Sequence, residues 1–258
     1  AYKVNPRHSF GVSPLIAYQR FKAYGLQPFA AISSDPANLT NRGHDSAWGF
    51  GVRVGWLGKL SDTVSVGAAY SSKIKMDEFD KYRGLFAEQG DFDIPPSAQA
   101  GVAVDVTANL TLMADYRHIW FSDIRALANP SPTAANTQFG TNNGPGFGWR
   151  DVNIFKLGVE WRKSADLTWR AGYSYNTSPI LAADAMINIL TPQVVQHHFS
   201  GGLEYRFGPS WSLEAAIMFA PQGSARGVET DFAPTGTDHN IELRMWQAEA
   251  TAGLKYRF

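Results

Sequence analysis

Apolar and polar residues alternate along most of this chain. At its end Ala248, Ala250, Ala252, Leu254, Tyr256 and Phe258 share one parity, and Glu249, Thr251, Gly253, Lys255 and Arg257 the other. A period of two places the two sets on opposite faces of a β-strand. Trp48, Phe50, Val52, Val54 and Trp56 repeat the pattern against Gly49, Gly51, Arg53 and Gly55. It recurs near 64–75, 100–106, 110–117, 155–162, 167–176, 199–207 and 211–219. A less regular first strand is expected near 10–24, where Pro14 disturbs the phase. Ten strands are predicted.

The connections between them alternate in length. GKLSD (58–62), TANL (107–110), KSAD (163–166) and FGPS (207–210) are short, whereas 25–46, 78–97, 127–149, 177–194 and 221–245 are long. A soluble β-sandwich contains similar strands but rarely so strict an alternation. Bacterial outer-membrane barrels have short periplasmic turns and long outer loops. In lipid every backbone N–H and C=O must pair within the protein, and a closed antiparallel barrel does this without an edge. The expected fold is therefore all-β, an antiparallel transmembrane β-barrel of about ten strands. Residues 1–258 are expected to form a single barrel domain, or the C-terminal part of a larger barrel. The expected location is the bacterial outer membrane, with both termini periplasmic. No signal peptide is visible in residues 1–10, so the chain is expected to be mature or cut from something longer.

Composition narrows the function classes. With 23 basic and 23 acidic residues and no basic run, nothing points to a nucleic-acid partner. Aromatics make up 13%, which suits the interfacial girdles of a barrel. Mean hydropathy is only −0.23 because one strand face in two need be apolar. There is no cysteine, as suits an oxidising compartment. No apolar run approaches the ~20 residues of a membrane-spanning helix.

From Trp48 onward the chain resembles the FadL/TodX family of outer-membrane transporters of hydrophobic compounds. The resemblance is carried by ordered blocks: WGFGVRVGWLGKLSDTVSVGAAYSSKIKM (48–76), IPPSAQAGVAVDVTANLTLMADYRHIWFSDI (94–124), GWRDVNIFKLGVEWRKSADLTWRAGYSYNTSPI (148–180), HHFSGGLEYRFGPSWSLEAAIMFAPQ (197–222) and AGLKYRF (252–258). It implies passive uptake of long-chain fatty acids or aromatic hydrocarbons, with capture on apolar outer loops and transfer to a lumen pocket. The family barrel has fourteen strands and an N-terminal hatch with an Asn-Pro-Ala motif. NPRHSF (5–10) is not that motif, so the expected match is to the C-terminal barrel portion. The alternative reading is a small-solute porin or a structural barrel fragment.

Strand phase nominates the candidate residues. Lumen-facing Arg125, Arg117, Lys73, Lys75 and Arg170, with the apolar Phe121, are expected to hold a ligand carboxylate near the outer mouth, above an apolar wall for its hydrocarbon tail. The competing reading is a mutually paired polar interior, in which buried charges neutralise one another. Ile180, Leu181, Met186, Ile189 and Leu190 make one outer loop unusually apolar and nominate it for ligand capture; packing against a neighbouring loop is the alternative. Leu254, Tyr256 and Phe258 form the expected signal for the barrel-assembly machinery. The expected partners are a hydrophobic small molecule, lipid and that machinery, with the barrel a monomer. Catalysis, a cofactor and a metal are not expected. No G-x-S-x-G or H-E-x-x-H motif is present, and GHDS (43–46) and DH (238–239) are the nearest approach to a His–acid pair.

Overall fold

The computed structural model describes residues 1–132, 138–228 and 239–257. Its twelve strands belong to one antiparallel sheet, so the all-β expectation holds. They are β1 (Tyr2–Asn5), β2 (His8–Phe21), β3 (Asp45–Lys59), β4 (Val64–Ser71), β5 (Lys75–Met76), β6 (Ser97–Thr107), β7 (Leu110–Ile119), β8 (Val152–Arg162), β9 (Leu167–Asn176), β10 (His197–Arg206), β11 (Trp211–Val228) and β12 (Asn240–Tyr256). Each wall strand pairs with the next in sequence, and β5 extends the wall beside β3.

All ten predicted strands are present, with two additions. β1 was not foreseen: Asn5 and the residues after it form the turn of a β1–β2 hairpin rather than a lead-in to the first strand. Asn5 Oδ1 accepts hydrogen bonds from the amides of Arg7 and His8 and fixes that turn. β11 and β12 also run further than expected, into the segment read as loop at 221–245. A register shift between Ala220 and Gly223 interrupts the alternation there, so one continuous strand reads as two phases. Pro14 lies within β2, opposite Val52. It fits because, among the described residues, β2 is paired only with β3 above Phe10.

Directly opposed residues share a face. Tyr18 with Trp48, Phe10 with Trp56, and Trp211 with Tyr256 therefore fix one apolar, exposed face. Aromatic pairs sit near both ends of it: Tyr18–Trp48 rings lie 4.8 Å apart at the long-loop end, and Trp211–Tyr256 rings 4.7 Å apart at the short-turn end. The other face carries the charged and small residues. The long connections after β2, β5, β7 and β9 leave from one end of the sheet, and among the described residues the core sits there, where they fold over the inward face.

Among the described residues no hydrogen bonding joins β12 to β1 or β2. β1 and β12 both run toward the short-turn end. Two strands running the same way cannot close an antiparallel wall against each other, so antiparallel closure needs an odd number of strands between them.

Candidate functional site

The site is built where the outer loops converge. Tyr82 is fully buried; its hydroxyl donates to the Gly43 carbonyl at 2.6 Å and accepts from the Ala23 amide at 3.1 Å. One phenol thus ties the loop after β4–β5 to both ends of the loop after β2. Phe21, the last residue of β2, packs edge-on to Tyr82 and Phe86, with ring centroids at 4.9 and 4.8 Å. Phe86 in turn lies 4.8 Å from Phe92. Ala47, Met76, Phe79 and Ala126 complete this cluster.

Beside the cluster is a pocket of about 560 Å³, within the range of small-molecule sites. Phe21, Phe86, Phe92, Phe139, Phe147 and Trp149 supply its aromatic walls; Lys22 and Thr191 are its polar side chains apart from Tyr24. Such a lining accepts hydrocarbon and offers little to a polar solute. The wall between Phe86 and Phe92 is made by a strained turn. Glu88 and Gln89 both have φ of 58°, and Gly90 follows at 105°. Left-handed geometry is unfavourable for residues with a Cβ. The turn is held against residues 140–142: Gln89 N donates to Gly140 O at 3.0 Å, and Gln89 Nε2 to Gly140 O at 2.9 Å and Asn142 Oδ1 at 3.0 Å.

Charges around the mouth are unevenly neutralised. Asp91 is pushed up to about 6 by burial and then by the neighbouring Asp93 charge. Asp93 is itself buried, accepting from the Met76 amide at 2.7 Å and pairing with Lys73 at 3.2 Å. His44 is held below its usual range, first by burial and then by the positive charges of Arg20, Lys22 and Lys81.

Lower on the inward face runs a chain of ion pairs. Arg162 reaches Asp105 and Glu160, each at 3.5 Å; Arg170 bridges Glu160 and Glu204, each at 2.9 Å; Lys255 lies 3.6 Å from Glu214. Between this chain and the mouth are two arginines bonded to serines. Arg53 Nε donates to Ser71 Oγ at 2.7 Å, and Arg117 Nη2 to Ser97 Oγ at 3.1 Å. Ser71 and Ser97 face each other across β4 and β6. Arg117 Nε is buried and has no hydrogen-bond partner.

The nominated residues are scattered over this framework. Arg125 sits in the β7–β8 loop, paired with Glu88 Oε1 at 3.4 Å, beside pocket residues Ala126 and Leu127. Arg117 lies on the inward face, as its phase requires. Arg170 is committed to two carboxylates, as the paired-interior reading expects, and Lys73 to Asp93. Lys75 departs from its expected face: it opposes Phe50, because one extra residue between β4 and β5 shifts the register against β3. Phe121 packs edge-on to Trp149 at 5.0 Å rather than lining the pocket. Ile180 is buried with Val194 and Leu243, while Leu190 lines the pocket and Ile189 is exposed. Leu181 and Met186 are half-buried in the same loop. Leu254 and Tyr256 face outward; Phe258 and Asp238 lie outside the described residues. The aromatic walls were missed because they lie in loops without a period. The signal was composition: Phe79, Tyr82, Phe86 and Phe92 crowd a connection that contains many charges.

The profile of the outer membrane protein transport protein family (OMPP1/FadL/TodX) matches residues 1–252. The long-chain fatty acid transport protein of Escherichia coli (strain K12) is 24% identical over 267 residues, covering 85% of this chain and 58% of that protein. This chain thus spans less than two thirds of that relative's length. Among solved structures, the P. putida toluene transporter TodX superposes with a TM-score of 0.59 at 19% identity, over 99% of this chain and 67% of that one. A Pseudomonas aeruginosa FadL homologue gives 0.62 at 19% identity, over 99% and 65%. At these identities the structures establish the shared fold.

Proposed function

This chain belongs to the outer membrane protein transport family (OMPP1/FadL/TodX), and from that premise we propose that it walls a channel for energy-independent uptake of hydrophobic compounds, long-chain fatty acids or aromatic hydrocarbons. Members of this family are transport proteins rather than enzymes. The short turns face the periplasm and the long loops the exterior, following the rule for outer-membrane barrels. The end of β12 then lies on the periplasmic side, whereas β1 starts within the wall, opposite Phe10.

The observation that carries the reading is the aromatic pocket of about 560 Å³ at the long-loop end. A hydrophobic compound leaving water gains ~25 cal/mol per Å² of apolar surface buried, so a greasy solute partitions into this mouth. Below it, Arg117 and Arg53 offer guanidinium groups that, among the described residues, are bonded to serine hydroxyls, suited to the polar end of an amphipathic ligand. The ion pairs further down neutralise Arg162, Arg170 and Lys255.

The test is equilibrium binding of a long-chain acid and of a monoaromatic hydrocarbon to the full-length protein. Ala126 is buried at the pocket wall, and Ala126→Trp fills the space. Binding is expected to weaken at least tenfold. Unchanged binding in a variant that stays folded refutes the pocket. Ion conductance in planar bilayers without saturable ligand binding supports the porin reading instead.

A further inference from the structure

Lys22 is the one charged side chain among the described residues that line the aromatic pocket. β2 ends at Phe21, and the residues after it leave the phase of the sheet because Ala23 is tied down. The Ala23 amide donates to the Tyr82 hydroxyl at 3.1 Å, and its carbonyl accepts from the Asn41 amide at 2.9 Å. Lys22 is thereby set at the pocket instead of continuing the outward row of Tyr18 and Arg20. Its ammonium lies over the Tyr24 ring, 5.6 Å from the centroid. That contact holds a cation in place without neutralising it. The described lining contains no carboxylate. Glu88 and Asp91, close in sequence to Phe86 and Phe92, are engaged elsewhere: Glu88 pairs with Arg125 at 3.4 Å, and Asp91 accepts from the Asp93 amide at 3.0 Å. Asp45 opposes Phe21, but its oxygens accept from the amides of Ser46 and Lys81. Asp77, Glu78 and Asp80, which flank Lys81, also stand outside the lining. Among the described residues Lys22 has no ion pair.

Burial across the lining is graded. Phe86, Ala126, Leu127 and Phe139 are buried, whereas Lys22, Tyr24 and Leu190 are exposed. The enclosed end is therefore apolar and the cation stands at the end open to water. A neutral hydrocarbon gains nothing from that cation, and an acid bound with its charge inward would strand a carboxylate among aromatic rings. We infer that Lys22 holds the carboxylate of a bound ligand at the rim while the apolar body fills the pocket, so that the site selects acids over neutral compounds of the same size and takes them up tail first. The inference rests on the reading of this pocket as the ligand site. It places Lys22 ahead of Arg53 and Arg117 on the way inward.

Equilibrium binding of laurate and of methyl laurate to the full-length protein tests it, because the ester keeps the tail and loses the charge. Lys22→Met keeps most of the stem and removes the ammonium. Laurate binding should weaken about fivefold, the upper range for an exposed ion pair, and ester binding should stay unchanged. Lys22→Arg should bind laurate as the native protein does. Added salt should weaken laurate binding to the native protein but not to Lys22→Met. Heat-modifiability on gels confirms that each variant is folded. Unchanged laurate affinity in Lys22→Met, or an equal loss for acid and ester, overturns the proposal. Loss of both ligands in Ala126→Trp with neither altered in Lys22→Met overturns this assignment alone. Both ligands retained in Ala126→Trp refutes the pocket, and the assignment falls with it.

Discussion

Gln89 separates two forces acting on the pocket wall. Its backbone is left-handed, at a cost of ~1–2 kcal/mol for a residue with a Cβ. Its side chain offsets this through two hydrogen bonds, to Gly140 O at 2.9 Å and Asn142 Oδ1 at 3.0 Å. Each is worth about 0.5–1.5 kcal/mol net. Gln89→Ala deletes both bonds and keeps the strain. Gln89→Gly deletes both bonds, relieves the strain and adds about 0.5–1 kcal/mol of chain entropy in the opened state. The glycine variant should therefore open less readily than the alanine one by about 0.5–1 kcal/mol, two- to fivefold in the opening equilibrium. That inverts the usual order, in which glycine is the more destabilising. Hydrogen exchange reads it directly, because the amides of Glu88 and Gln89 donate to Thr141 O and Gly140 O and exchange only when the turn lifts. If the glycine variant exchanges as fast as the alanine variant or faster, the turn is not strained and the argument fails.

Three further outcomes are expected. Asp91 titrates at about 6 in the folded turn against 3.8 for a free carboxyl; between those values the opened turn loses its proton first, so the turn should loosen as pH rises from about 4 to 6 and stay looser above. Asp91→Asn should flatten that dependence in corrected protection factors for the Phe79 amide, which bonds Gly90 O; an unchanged slope would assign it to Asp93 or Glu88. A Cβ at Gly223 would collide with the carbonyl of Val194, so Gly223→Val should prise the β9–β10 loop from β11 and cost about 1–3 kcal/mol in thermal denaturation; wild-type stability would show that the loop yields freely. Arg170→Met should leave Glu160 and Glu204 with only their longer contacts to Arg162 and Arg257, and adding Glu204→Gln should recover part of the loss, with a coupling of about 0.5–3 kcal/mol; strict additivity would mean that the bridge contributes nothing.

The wall was legible because a sheet with lipid on one side and water on the other must alternate, and Trp48 to Trp56 can be read in no other way. The legible part stops wherever one residue is inserted. The extra residue before Lys75 turns a lumen candidate outward, and the shift at Ala220–Gly223 hides the upper half of β11. Neither insertion changes composition, so neither leaves a mark until the partner strand supplies the register. The pocket was illegible for another reason. Its aromatics are brought together by Tyr82 bonding Gly43 and Ala23 across long sequence separations, and by a Glu-Gln pair in a conformation that neither residue favours. Local pattern carries no information about either.

The free edge of β2 and the pocket are one problem. Phe21, Lys22 and Ala23, which leave β2 at its outer end, line the pocket, and β2 above Phe10 has a partner on one side only among the described residues. An unpaired edge in hydrocarbon leaves each exposed N–H and C=O unsatisfied, at several kcal/mol apiece. Antiparallel closure requires a strand beside that edge running opposite to β2, the direction in which β1 already starts. Such a strand, rising along β2 to the level of Phe21, would stand next to the aromatic walls and finish the side of the pocket that the loops leave open. Pairing of this edge and ordering of the pocket therefore depend on the same backbone. Ligand affinity should therefore depend on whether that edge is paired, even though the aromatic side chains of the pocket stay the same.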